Sequence, residues 1–209
     1  MILFYFLLYL SIIFIFIFMD NKSKNINYIY VKTVIAKTFL LPSGPLAPFI
    51  KNYFTEYDIE NFTNEFISLK TILEILNKIY FHYGPYYLFK IGEILPTYIN
   101  FKENILPNLP VAILTINNEY YLHHTIIDDR LNIKKSDVLG KYELLLYDSQ
   151  KVVVKSSTPY PCDFDKGIFY KIVSYFHPYI TIKNIYHNPN KCKLYGQDSC
   201  IYEFNLTKF

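Results

Sequence analysis

The stretch Tyr142-Glu143-Leu144-Leu145-Leu146-Tyr147-Asp148-Ser149-Gln150-Lys151-Val152-Val153-Val154 is where the periodicity of the chain changes. Upstream, apolar residues recur at three and four. Within it Tyr142, Leu144 and Leu146 alternate with their neighbours, Asp148-Ser149 supplies a turn, and Val152 and Val154 resume the alternation. Successive side chains on a strand point to opposite faces, so the pattern predicts a β-hairpin. Downstream, Phe164, Ile168, Ile172, Tyr175 and Phe176 return to helical spacing, with Asp163 as a candidate cap and His177-Pro178 as the stop. Ile180, Ile182 and Tyr186 then alternate, as do Cys200, Tyr202, Phe204 and Leu206. The C-terminal half therefore reads β-β-α-β-β. Preceded by helices, it gives an α+β domain in which N-terminal helices pack on an antiparallel sheet covered on one face.

Working toward the N-terminus, a helix is expected from about Pro110 to His124, with Ile113, Ile116, Tyr120 and His123 or His124 around one side. Before it, Ser68 can cap a helix in which Leu69, Ile72, Leu73, Leu76 and Tyr80 repeat at three and four. That helix stops near Gly84, and Pro85 starts another carrying Leu88, Ile91 and Leu95 until Pro96 ends it. The two predict a helical hairpin packed through its apolar stripes. Residues 20–64 read as a lead-in: extended from Asn25 to Leu41, then a short helix opened by Pro45 with Leu46, Phe49, Ile50 and Tyr53 on one face. The folded domain is assigned to residues 65–209.

Residues 2–19 are apolar except for Ser11, long enough to cross a bilayer as a helix. Lys22 and Lys24 follow the run and would hold the body of the protein in the cytoplasm. Residues 1–19 are thus either a single transmembrane anchor, the chain's one route to a membrane, or translated upstream sequence ahead of a true start at Met19. A cleaved secretory signal fits less well, since no basic residue precedes the run.

With 209 residues, 52% of them hydrophobic and 19% charged, the chain has material for one buried core rather than for a large multidomain enzyme. A formal charge of +3 without a Lys/Arg run longer than two argues against a nucleic-acid partner. The 22 tyrosines and 18 phenylalanines, with no tryptophan, fit codon bias in an AT-rich genome and say little about a site.

Three cysteines form no disulfide scaffold, and a cytoplasmic setting favours free thiols. Cys192 and Cys200 bracket a loop in which Gly196 permits a chain reversal. Cys162 stands at the mouth of the late helix, which the returning strand brings back to the same end of the sheet, and His187 ends that strand. If the four converge they make a Cys3His set suited to zinc. The alternatives are three cysteines buried as small apolar groups with His187 in a surface loop, or a Cys192–Cys200 disulfide.

The string Tyr160-Pro161-Cys162-Asp163-Phe164-Asp165-Lys166-Gly167-Ile168, then His187, then Cys192-Lys193-Leu194-Tyr195-Gly196-Gln197-Asp198-Ser199-Cys200-Ile201-Tyr202, resembles the C-terminal half of 4-vinyl reductase domains. These small-molecule-binding domains are related in fold to haem-NO-binding sensors and to Bet3-like subunits of TRAPP tethering complexes. Tyr83-Gly84 to Gly92-Glu93-Ile94-Leu95-Pro96, and Tyr120 to His123, are similar to the upstream part of a microbial branch, so the resemblance spans roughly residues 65 to 206. It implies a structural zinc on Cys162, Cys192 and Cys200. The glutamate that serves as fourth ligand in phenol-sensing members has no counterpart, with Pro189 three residues before Cys192, and His187 is the substitute. The resemblance further implies a homodimer and an apolar pocket for a hydrophobic small molecule. Tyr120, His123, Phe169 and Tyr186 are residues of suitable type to line it.

Haem stays open, with His82 and His123 the histidines considered, though neither sits in a matching haem-ligand motif. His123-His124 beside Asp128-Asp129 reads as a solvated helix end. No phosphate-cradling loop, nucleophile elbow or HExxH motif is present, so no catalytic residue is assigned. The expected function is a zinc-stabilised domain that binds or senses a hydrophobic small molecule and acts through a protein partner. The rivals are a Bet3-like scaffold and an enzyme of tetrapyrrole vinyl-group reduction.

Overall fold

The computed structural model describes residues 28–59, 62–98, 108–126, 138–176 and 180–208. The apolar segment 2–19 and the aspartates at 128 and 129 lie outside them. No helix among the described residues is long and apolar enough to cross a membrane.

The architecture is α+β, with six α-helices and two antiparallel sheets among the described residues. Strand β1 (Ile29–Lys32) leads into α1 (Thr33–Thr38), a 3-10 segment (Leu41–Leu46) and α2 (Ala47–Thr55). Strand β2 (Phe66–Ser68) precedes α3 (Leu69–Tyr83), α4 (Pro85–Tyr98) and α5 (Leu109–Leu122), and β3 (His124–Ile126) follows. The rest is β4 (Tyr142–Tyr147), β5 (Lys151–Ser156), α6 (Cys162–Phe176), β6 (Ile180–His187) and β7 (Cys200–Lys208). The predicted β-β-α-β-β order holds, in a four-stranded sheet of order β4-β5-β7-β6. A second sheet, β2-β1-β3, was not expected, because its strands are only three or four residues long.

The N-terminal expectations need several corrections. Residues 33–38 are helical rather than extended: burial of Ile35 and Ala36 overrides the β-branched composition, and Thr38 Oγ1 donates to the Ile35 carbonyl at 2.6 Å. Helix α2 turns Ile50 and Phe54 inward and leaves Phe49 exposed. Ile29, Val31, Phe39, Ile50 and Phe54 share one core with residues of α3 to β7, so the lead-in is packed into the domain. Ser68 caps α3 as predicted, its Oγ accepting the Thr71 N–H at 3.0 Å, an interaction worth about 1 kcal/mol. Tyr80 leaves the apolar stripe, and Ile75 and Ile79 take its place. Gly84, at φ 78°, ends α3, and α4 runs past Pro96 to Tyr98. Asp163 lies within the first turn of α6, which begins at Cys162 itself.

The expected α3–α4 hairpin is secondary to a much closer crossing of α4 on α6. A Cβ on Gly92 would stand 2.0 Å from the Phe164 carbonyl oxygen, and one on Gly167 would stand 2.1 Å from that of Phe89. The two glycines let the helix backbones touch, which seats α6 over the four-stranded sheet. There Phe169 packs between Tyr142 and Tyr202 at ring separations of 5.2 and 5.6 Å.

Candidate metal centre

Three elements bring the cysteines and His187 together. Cys162 is the first residue of α6, Cys200 opens β7, and Cys192 lies within the loop between β6 and β7, just before its 3-10 turn. His187 ends β6 opposite Tyr202 of β7. The loop closes as its glycine predicts: Gly196 adopts φ 83°, and the N–H groups of Tyr195 and Gln197 both donate to the Cys192 carbonyl. Tyr202 ties the corner together, donating its hydroxyl to the Cys162 carbonyl at 2.8 Å and stacking its ring on His187 at 4.8 Å.

All three thiols are buried and free. Their sulfurs are 3.1 Å apart for Cys162–Cys200, 3.5 Å for Cys162–Cys192 and 3.8 Å for Cys192–Cys200, and no pair is bonded as a disulfide. One donor atom from each of the four residues falls within 4.8 Å of every other. A tetrahedral zinc with Zn–S bonds of about 2.3 Å spaces its sulfurs about 3.8 Å apart, so the cluster is close to the size a cation requires. His187 is not the surface-loop residue of the alternative reading: its Nε2 is buried and has no hydrogen-bond partner of good geometry. The donor set can hold a metal ion.

The electrostatics of the four groups are coupled. Hydrogen bonds from Cys162 pull the Cys192 and Cys200 thiols downward against burial, while the bonds to Cys192 and Cys200, together with burial, push Cys162 up. Burial works against charging His187, but the Cys200 and Cys192 sulfurs outweigh it and raise its pKa. The Lys193 backbone N–H donates to Cys200 Sγ at 3.4 Å, a bond that steadies negative charge on the sulfur.

A second polar cluster, missed in the sequence, adjoins the first. Asp165 is fully buried. Its Oδ2 accepts from Ser156 Oγ at 2.6 Å, Lys193 Nζ at 2.8 Å and Thr158 Oγ1 at 3.0 Å, and its Oδ1 accepts from the Tyr142 hydroxyl at 3.0 Å. Lys193 Nζ also donates to the Thr158 and Tyr160 carbonyls, both at 2.7 Å. Burial raises the Asp165 pKa in spite of Lys193, whereas Asp165 outweighs burial and raises that of Lys193. One shift opposes ionisation of the pair and the other favours it. The bonding decides for the ionised pair, because each ammonium proton has an acceptor and the carboxylate has four donors. Asp165 three residues before Ile168 placed a charge on the inner stripe of the helix, which was the available signal.

Beyond this pair lies a cavity of about 30 Å³, lined among others by Tyr120, His123, His124, Tyr142, Tyr160 and Phe164. Its volume suits about one water. Tyr120 and His123 thus stand at a cavity wall, whereas Phe169 is in the core and Tyr186, half-exposed on β6, is elsewhere. His123 has a buried Nδ1 without a hydrogen-bond partner, and its Nε2 lies 3.6 Å from Glu119. The expected solvated helix end is corrected at His124, which is 2% exposed and begins β3. Its Nδ1 lies 2.6 Å from the Tyr120 carbonyl and its Nε2 lies 2.8 Å from the Tyr160 hydroxyl. His82 is on the surface, stacked on Tyr53 with its Nδ1 2.7 Å from the Tyr53 hydroxyl.

No family model and no curated protein matches the chain. Solved structures do. An H-NOX protein from S. oneidensis in the Fe(II)NO ligation state aligns at 12% identity and TM-score 0.55, over 85% of this chain and 99% of that one. Fe(II) unliganded H-NOX protein from K. algicida aligns at 11% identity and TM-score 0.55, over 85% and 97%. A structure from work on haem distortion in the H-NOX family aligns at 8% identity and TM-score 0.50, over 85% and 94%. The chain shares the H-NOX fold, consistent with the expected relation in fold to haem-NO-binding sensors.

Proposed function

We propose that this protein is a zinc-stabilised domain of H-NOX fold that binds a small apolar molecule and acts through a partner protein or a second copy of itself. The observation that carries the reading is the convergence of Cys162, His187, Cys192 and Cys200, with one donor atom of each within 4.8 Å of every other and all three thiols buried. Three soft thiolates and one imidazole suit zinc, and four protein ligands leave no position for a hydrolytic water. The metal's contribution is to pin the β6–β7 loop against the start of α6.

The H-NOX neighbours raise haem as a ligand, and the packing here does not fit it. The cavity is about 30 Å³, whereas sites for drug-sized ligands measure roughly 300–1,000 Å³. Tyr120, Tyr142, Tyr160 and His124 occupy the space between α5 and the sheet with ring separations of 4.3–6.2 Å. No step is assigned to haem. A small apolar guest that repacks these rings is the ligand class that remains.

The test is mass spectrometry of compounds extracted from the protein purified under reducing conditions, with visible absorbance recorded on the same sample. An apolar compound near one per chain, lost when Ile116→Trp fills the cavity, supports the reading. A tetrapyrrole spectrum, or no compound and no apolar probe bound, contradicts it. In the latter case the scaffold reading leads, which the closed aromatic packing and the exposed Phe81, Tyr86 and Tyr195 favour.

A further inference from the structure

Lys193 follows Cys192 directly and is bonded to both buried clusters. Its backbone N–H reaches Cys200 Sγ, while its side chain crosses to the Tyr160 carbonyl and the Asp165 carboxylate. From there the bonds run into the cavity wall: Asp165 Oδ1 accepts from Tyr142, and the Tyr160 hydroxyl meets His124, which meets the Tyr120 carbonyl. Tyr142, Tyr160, His124 and Tyr120 all line the cavity. Apart from its cysteines and its own backbone bonds, the loop reaches the rest of the domain through the Lys193 side chain. Its residues 193–195 form one 3-10 turn with none buried, and Leu194 and Tyr195 are exposed.

We propose that Lys193 is a positioning residue that couples metal loading of the Cys192–Cys200 loop to the state of the aromatic cavity. This rests on the reading of the Cys3His cluster as a metal centre. With the loop pinned by its cysteines, the ammonium sits on Asp165 and Tyr160, and the tyrosines of the cavity are held in their present rotamers. With the loop released, Asp165 is left buried without its cation, and a buried carboxylate in that condition drives local rearrangement. The Tyr160 carbonyl then loses its donor, the rearrangement of Asp165 reaches Tyr142 through the hydroxyl bonded to it, and the cavity wall loosens. Linkage makes the effect reciprocal: a guest that favours the ordered wall tightens metal binding by the same factor that metal tightens the guest.

The experiment is hydrogen exchange on the full-length chain, zinc-loaded and after chelation, with metal content measured on each sample. In the wild type, chelation is expected to lower protection by about tenfold or more over residues 192–200 and also over 156–165 and around Tyr142, while the core of α3 at residues 72–79 keeps its protection. In Lys193→Met, zinc still binds and chelation changes only residues 192–200. If the buried carboxylate prevents that variant from folding, Lys193→Met with Asp165→Asn removes both charges and carries the same prediction. Wild-type protein that loses zinc with no change at 156–165, variants that still transmit, or a loss spread equally over α3 would each overturn the coupling with the metal centre intact. Wild-type protein that never binds metal would overturn the reading beneath it.

Discussion

Two buried polar clusters sit side by side at the start of α6, and they differ in whether the protein completes them. Around Asp165 every strong group is answered: the carboxylate accepts from three hydroxyls and an ammonium, and the ammonium has three acceptors. Around Cys162 the protein gathers soft donors, with three sulfurs 3.1–3.8 Å apart and a His187 Nε2 that has no hydrogen-bond partner of good geometry. The first is a finished piece of structure. The second is a donor set that can hold a cation.

The sharpest way to break this comparison is to remove one member of each cluster. Cys200→Ser or Cys192→Ser is expected to cost about 4 kcal/mol or more in urea unfolding at saturating zinc, because metal binding and folding are coupled. Equal stability with and without zinc would erase the distinction. Lys193→Met strands the Asp165 charge and is expected to cost roughly 3–5 kcal/mol, of which the added Asp165→Asn recovers a large part. A double variant no better than the single would show that the pair is not a unit. Gly167→Ala, which drives a Cβ into the Phe89 carbonyl, is expected to cost about 3 kcal/mol without altering zinc stoichiometry, separating helix packing from ligation.

The smallest effect is a pH slope. Burial holds His123 below its ordinary pKa of 6.5. A histidine depressed in the folded state contributes stability that is present above 6.5 and is lost as pH falls through the folded value. His123→Gln is therefore expected to flatten the decline in melting temperature on acidification through that window, and an unchanged slope would assign the decline elsewhere.

The C-terminal half was legible because its periods are long and clean: alternation over β4 and β5, helical spacing over α6, and a cysteine pair around a turn glycine. The N-terminal half was not. Strands of three residues at Phe66–Ser68 and His124–Ile126 are too short to show a period, and Thr33 to Thr38 is helical against its β-branched composition because burial decides it. The four members of the Cys3His cluster were found by spacing and resemblance, since the chemistry of the donors is written in their residue types. Asp165, Lys193 and His124 were missed, because a charged or imidazole side chain becomes a buried pair only through partners that are distant in sequence. The Gly92–Gly167 crossing is of the same kind: neither glycine marks a turn, and only the meeting of α4 and α6 gives them a role.

The central claim is that the sulfur cluster holds a metal and the carboxylate cluster beside it does not need one. Elemental analysis of protein purified under reducing conditions, without added metal or a metal-affinity step, tests this directly. The account predicts about one zinc per chain in the wild type and in Gly167→Ala, and none in Cys200→Ser. Wild-type protein that folds stably with no metal bound would contradict it.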